Sequence, residues 1–276
     1  MISSRRNPLV KRLRTLATRA GREAEGLLLL EGTHLLQEVL RQGNAPDEII
    51  ATEAWWKGHS ALAERCDQAR LRIVTDEVLQ AALTTVTPDG VACLSPLDRL
   101  PAVPPELDFL LVLDRIQDPG NLGTLLRTAL AADVNAVWMG AGVDPLGTKV
   151  LRASAGALLQ LPHQRFGPSE AMAISRLQQE LKQLAGLGVQ VVATLVPDSI
   201  QASPIPYWDL DWTLPTALVL GTEGAGLHPD LQACCTHAVT LPHSARVESL
   251  NVASAAVPLL LERRRATMTA TSQQFG

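Results

Sequence analysis

Three stretches of the chain set polar side chains where an apolar strand gives way to a helix or a glycine-rich turn. In 241–256, LPHSARVESLNVASAA, the apolar residues Ala238, Val239 and Leu241 lead into a proline-containing turn, and Ser249 and Asn251 flank Leu250 where a helix should begin. Ser249 suits the N-cap, because its hydroxyl can accept an orphan backbone N–H. Leu250, Val257 and Leu261 then mark one buried face at helical spacing. Read alone, the segment is either a capped helix and nothing more, or one wall of the crevice beyond the strand ends where α/β folds hold ligands.

The second stretch, 114–129, reads DRIQDPGNLGTLLRTA. Asn121 is expected to cap its helix, and Gly123 and Arg127 stand four residues apart on one face. Helical side chains lean toward the N-terminus, so Arg127 should lie back over Gly123 and bring its guanidinium near the crevice. A guanidinium there could anchor phosphate or ribose oxygens; the plain alternative is a pairing with a surface carboxylate. The third stretch, 217–227, reads ALVLGTEGAGL, a strand and then a turn. Its glycine spacing is G-x-x-G-x-G, neither the dinucleotide fingerprint nor a phosphate loop with its lysine. Glu223 in that turn would repel a pyrophosphate, whereas a sulfonium or an amine suits it. A simple tight turn is the plain alternative.

These stretches need a scaffold. At 276 residues, 46% of them hydrophobic and 19% charged, the chain can build one large domain or two ordinary ones around a substantial core. The apolar run at 27–30 is far short of a membrane span. Four cysteines, Cys66, Cys93, Cys234 and Cys235, lack metal-ligand spacing, so no metal site and a reducing, cytoplasmic setting are expected. Strands are expected at 27–30, 47–51, 73–74 and 91–94, with helices at 33–41 and 61–69 and one opening at Thr75. This reads as a small α/β domain over 1–95, followed by a spacer at 96–107 holding Pro96, Pro101, Pro104 and Pro105. The domain from 108 to 276 alternates strands at 109–113, 136–139, 189–195, 217–220 and 238–241 with helices at 121–132, 146–158, 170–185 and 249–264. That alternation means a parallel sheet with helices on both sides, and Pro258 should kink or shorten the last helix.

The formal net charge is −4, which argues against a pure nucleic-acid coat protein. Yet Arg5, Arg6, Lys11, Arg12, Arg14, Arg19 and Arg22 all precede the first acid, Glu23. Such a local basic stripe is either the footprint of a partner held at one end, with Arg5, Arg6, Lys11 and Arg12 as its contacts, or a solvated helix face. A basic, acid-free start also describes an organellar transit peptide, against which Pro8 argues. With aromatics at 3%, extended base stacking is not expected, and the pair Trp55 and Trp56 suits a core as well as an RNA platform.

The motifs LDRIQDPGNLGTLLRTA at 113–129, LVLGTEGAGL at 218–227 and LPHSARVESLNVASAA together resemble the SpoU (TrmH) family of RNA ribose 2′-O-methyltransferases, in the SPOUT superfamily. ISSRRNPLVKRL at 2–13 and LLLEGTHLLQEVL at 28–40 resemble the RNA substrate-binding domain of many members, a ribosomal-protein-L30-like α/β fold. The resemblance implies S-adenosylmethionine as methyl donor, ribosomal RNA rather than tRNA as substrate, a homodimer, and a C-terminal trefoil knot, which composition and periodicity do not reveal. Carried over by position, it implies a catalytic set of Asn121, Arg127, Glu223, Ser249 and Asn251. Thr194, Leu220, Gly221, Gly226, Leu241 and Leu250 would line the cofactor, largely through backbone groups. The chain departs from the family pattern at His243 and Ala245, where Met and Gly are common, and at Ala253 and Asp133. A non-catalytic RNA-binding protein would have lost motif residues, and a dinucleotide oxidoreductase would carry the other glycine spacing.

Overall fold

The structure is a computed structural model and describes residues 1–66, 68–196, 203–222 and 224–274. The chain divides into two compact units, Met1–Pro101 with Asp144–Gln160, and Ala102–Val143 with Leu161–Gly276.

In the first unit, β1 (Leu27–Glu31), β2 (Glu48–Thr52), β3 (Arg70–Val74) and β4 (Val91–Pro96) form a sheet in the order β1-β4-β2-β3. β4 is antiparallel to both β1 and β2, and β2 runs parallel to β3. Helix Pro8–Leu16 starts as its sequence dictates: Asn7 accepts the Leu9 N–H at 2.9 Å, and Pro8 fills the first turn, where its missing N–H costs nothing. Its face of Leu9, Leu13 and Leu16 packs onto Leu29, Ile50, Val74 and Leu94. Trp55 is a buried side chain of the unit: it donates to Thr33 Oγ1 at 2.7 Å and stacks on His59.

The segment Asp144–Gln160 joins this unit through polar contacts. Arg22, itself buried, pairs with Asp144. The buried Glu31 carboxylate accepts from Arg152 Nη1 at 2.8 Å and from the Thr84 and Thr85 N–H groups, each at 2.9 Å. A carboxylate can be buried there because its oxygens are so fully bonded. The single helix expected at 146–158 is instead helix Thr148–Ala153 and a separate 3₁₀ turn, Ala157–Leu159. Ala155 and Gly156, both left-handed at φ 50° and 77°, stop the first and start the second.

The second unit is a sheet of parallel strands: β5 (Phe109–Leu113), β6 (Ala136–Met139), β7 (His163–Arg165), β8 (Gln190–Thr194), β9 (Ile205–Pro206), β10 (Thr216–Leu220) and β11 (His237–Thr240). Their order is β7-β6-β5-β10-β8-β11-β9. β5 and β10 lie at the centre and are buried along their whole length, as unbroken apolar runs require. From β5 the chain builds outward through β6 and β7 on one side, then moves to the other side for β8. That reversal opens a crevice at the carboxyl ends.

Two helix starts differ from expectation. Asp118, not Asn121, caps helix Pro119–Ala131; its carboxylate accepts the Asn121 N–H at 2.8 Å, and Pro119 takes the first position. Asn251, not Ser249, caps helix Val252–Gln274, accepting the Ala253 and Ser254 N–H groups at 3.0 and 3.2 Å. In each case the cap is the residue just before the helix, whose side chain reaches the N–H groups two or three residues on. The last helix also runs on through Pro258 instead of ending there. No helix among the described residues is long and apolar enough to cross a membrane.

Candidate active site

The crevice of the second unit holds a cleft of about 430 Å³. Strand ends supply Thr194, Leu220 and Leu241, the glycine turn supplies Gly221 and Gly226, and the approach to the last helix supplies Ser249 and Leu250. All six residues expected to line a cofactor therefore meet in one place. The cleft also takes in His243, one of the departures from the family pattern, and Thr222 and Glu248, which the sequence reading did not single out. Glu248 gives the cleft a carboxylate from among the described residues; Glu223 lies outside them.

The turn is built for close approach. A Cβ on Gly221 would stand 2.3 Å from the backbone of Gly226 and Leu227, so only glycine fits. Thr222 and Gly226 exchange backbone hydrogen bonds, both 3.0 Å, across the mouth of the turn. Asp114, fully buried at the end of β5, holds the stem. Its N–H donates to the Leu220 carbonyl at 2.9 Å, and its carboxylate accepts the His228 N–H at 2.9 Å. Arg115 closes the carboxylate from the other side, with Nη2 at 3.0 Å. Asp114 in turn pushes the Arg115 guanidinium above its ordinary range. His243 donates Nδ1–H to the Leu241 carbonyl at 2.7 Å, which leaves its Nε2 as an acceptor when the ring is neutral.

The two motif helices meet at their starts. Asn251 Nδ2 donates to Asn121 Oδ1 at 3.0 Å, beside the cleft residues Leu250 and Val252. Arg127 is not among the cleft residues. Gly123 is buried and Arg127 exposed on the same helix, because four residues turn the helix about 40° past a full circle and the two straddle the edge of the buried face. Among the described residues Arg127 makes no salt bridge, so the alternative of a surface carboxylate partner finds no support.

The residues fit a cofactor of S-adenosylmethionine's size and charge. The cleft volume falls within the roughly 300–1,000 Å³ of small-molecule sites. Thr194 Oγ1 is buried there with no hydrogen-bond partner among the described residues, an orphan that a ligand's polar group would satisfy. Among the described residues no cluster of His, Cys, Asp and Glu could hold a metal ion.

On the first unit, Arg5, Arg6, Lys11 and Arg14 line one shallow depression with Asn7, Thr15 and Thr18 and no acid. Arg12 faces elsewhere. It bridges Glu25 at 2.7 Å and Glu48 at 2.9 Å, so its charge is spent inside the unit.

Comparison with known proteins agrees with this geometry. Residues 108–260 match the SpoU rRNA Methylase family, and residues 7–93 match the MRM3-like substrate binding domain. An uncharacterised tRNA/rRNA methyltransferase of Synechocystis is 41% identical over 98% of this chain and 96% of its own length. A 23S rRNA (guanosine-2′-O)-methyltransferase of Bacillus subtilis is 30% identical over 95% of this chain and 98% of its own. The crystal structure of an AdoMet-bound rRNA methyltransferase from Sinorhizobium meliloti superposes with a TM-score of 0.77 at 26% identity, covering 96% of this chain and 97% of that one. The chain belongs to the SpoU rRNA Methylase family, and its cofactor is S-adenosylmethionine.

Proposed function

We propose that the protein methylates a ribose 2′-hydroxyl of ribosomal RNA. The observation that carries this reading is the convergence of all three motifs on one crevice, with the cleft at the strand ends and Asn121 bonded to Asn251 at its edge. The naming of a whole-length relative, that of Bacillus subtilis, as a 23S rRNA methyltransferase supports ribosomal RNA over tRNA. When bound, S-adenosylmethionine supplies an electrophilic methyl group on a sulfonium. Thr194, Leu220, Gly221, Gly226, Leu241 and Leu250 would hold it, and the Glu248 carboxylate favours its positive charge.

The chain's own catalytic work is to position the ribose and stabilise its 2′-oxygen as the proton leaves. Arg127 is a cation without an internal counter-charge among the described residues, and it acts as a clamp on that oxygen or an adjacent phosphate. Glu223 and Asn251 would orient it, and Asn121 and Ser249 complete the set. Arg5, Arg6 and Lys11 would hold RNA phosphates, while Arg12 contributes through the ion pairs that fix its helix.

The reading includes a homodimer. Val257, Leu261 and Met268 are exposed on the last helix at helical spacing, an apolar stripe that a second copy would cover. Light scattering should give twice the 29.6 kDa chain mass, and a monomer at micromolar concentration would contradict it. It also includes the trefoil knot of the family, which an experimental chain trace through 241–251 tests, and a cytoplasmic setting, which cell fractionation tests. For the reaction itself, ribose methylation should be mapped in RNA from cells with and without the protein. One 2′-O-methyl group in ribosomal RNA should vanish with it; an unchanged ribosomal map would overturn the proposal.

A further inference from the structure

The glycine turn at the cleft leaves β10 at Leu220 and returns at His228, and Asp114 bonds both ends. Its backbone N–H holds the Leu220 carbonyl at 2.9 Å, and its carboxylate holds the His228 N–H at 2.9 Å. Inside those bonds the Thr222–Gly226 clasp and the Gly221 contact fix the turn further. A buried carboxylate is costly, and this one lies at the end of a strand in a different motif from the turn it holds. Arg115 makes the burial tolerable: it adopts a left-handed φ of 55°, donates to both carboxylate oxygens and reaches Glu170 at 3.3 Å. A non-glycine residue in that conformation is uncommon and costs energy that the surrounding bonds must offset.

We infer that Asp114 is the positioning residue for cofactor binding, the group that sets the spacing of the turn's two ends and so the shape of the cleft. This rests on the reading of the cleft as the S-adenosylmethionine site. Asp114 touches no ligand itself; it acts through Leu220 and the turn that follows. A loop closed at its stem loses less freedom on binding, so opening the stem lowers affinity without altering any group that meets the cofactor.

The test uses two variants that weaken the same bond from opposite sides. Asp114→Asn keeps an acceptor near His228 and removes the charge. His228→Pro removes the backbone donor in that bond, at a residue whose φ of −58° already suits proline. It also loses the ring's 3.2 Å contact to the Asp230 N–H, a surface bond. Each variant should weaken S-adenosylmethionine binding by about tenfold in calorimetric titration, the size expected for one lost charged hydrogen bond. Hydrogen exchange should quicken at Thr222 and Gly226, RNA affinity should hold, and turnover should recover at saturating cofactor. Glu170→Gln, which removes only the outer partner of Arg115, should bind as wild type. Should Asp114→Asn fail to fold, His228→Pro decides alone. Wild-type cofactor affinity in a folded His228→Pro, with exchange quickened or not, would overturn the inference. A wild-type protein that does not bind S-adenosylmethionine at all would instead overturn the reading of the cleft.

Discussion

At the scale of single residues, the chemistry turns on whether Arg127 keeps its proton. A guanidinium is the most basic of the side chains, so stripping its proton at neutral pH is strongly unfavourable. A clamp needs no such expense. Arg127→Lys should therefore retain more turnover than Arg127→Gln and stay below wild type from pH 6 to 9, because lysine keeps the charge and lacks the planar fork. Single-turnover rates with RNA and cofactor saturating measure this. A lysine variant that overtakes wild type at high pH would show a base that loses its proton, since lysine titrates near pH ~10.4. Asn251 and Arg127 should also separate. Asn251 caps its helix at the cleft, so Asn251→Ala should weaken cofactor binding as well as turnover, by about 1 kcal/mol through the lost cap. Arg127→Ala should leave cofactor affinity within a few-fold. Six of the cleft-lining residues were legible through the resemblance of the motifs, because backbone position decides their place, whereas Thr222 and Glu248 were not. Asp114 was not legible as more than a loop residue: its partner His228 is more than a hundred positions away, and only the fold brings them together.

At the scale of elements, legibility followed burial. β5 and β10 read plainly as FLLVL and ALVL because both faces are covered. β7 and β9, of three and two residues, have no apolar run to announce them, since edge strands bury little. The basic stripe also resolved by element. Arg19 pairs with Glu23, Arg22 with Asp144, and Arg12 with Glu25 and Glu48, while Arg5, Arg6, Lys11 and Arg14 share the acid-free depression. Replacing Arg5, Arg6 and Lys11 with alanine should lower the slope of log affinity for RNA against log salt by about 2–3, and spare cofactor binding. An unchanged slope would return the stripe to a solvated face. Arg12 belongs to a different experiment. Burial by itself would raise the Glu48 carboxyl, but hydrogen bonds from Arg72 and Arg12 hold it below its ordinary range. A carboxyl depressed in the folded state adds stability above its unfolded value, and that stability is lost as pH falls through the folded value. Melting temperature should thus fall below about pH 4.5, and Glu48→Gln should melt lower at neutral pH with a shallower fall in acid. Parallel curves for the two proteins would remove Glu48 from the account.

At the scale of the whole molecule, the chain passes between its two units three times, after Pro101, after Val143 and after Gln160. The proline-rich stretch marked the first crossing. The other two were not legible, because what commits Asp144–Gln160 to the first unit is side-chain pairing with Arg22, Glu31 and Thr84, residues far away in sequence. A net charge of −4 with cations gathered at one depression suits the proposed local hold on RNA better than a coat along it. The central claim is methyl transfer to a ribose of ribosomal RNA with Arg127 at the reacting oxygen. Its most direct measurement incubates the purified protein with methyl-labelled S-adenosylmethionine and, in parallel, unmodified 23S ribosomal RNA and tRNA, followed by nuclease digestion that separates ribose from base methylation. The account predicts label on one ribose 2′-oxygen of the ribosomal RNA with wild type, and none with Arg127→Ala at full cofactor occupancy. Label on a base, label on tRNA alone, or undiminished transfer by Arg127→Ala would contradict it.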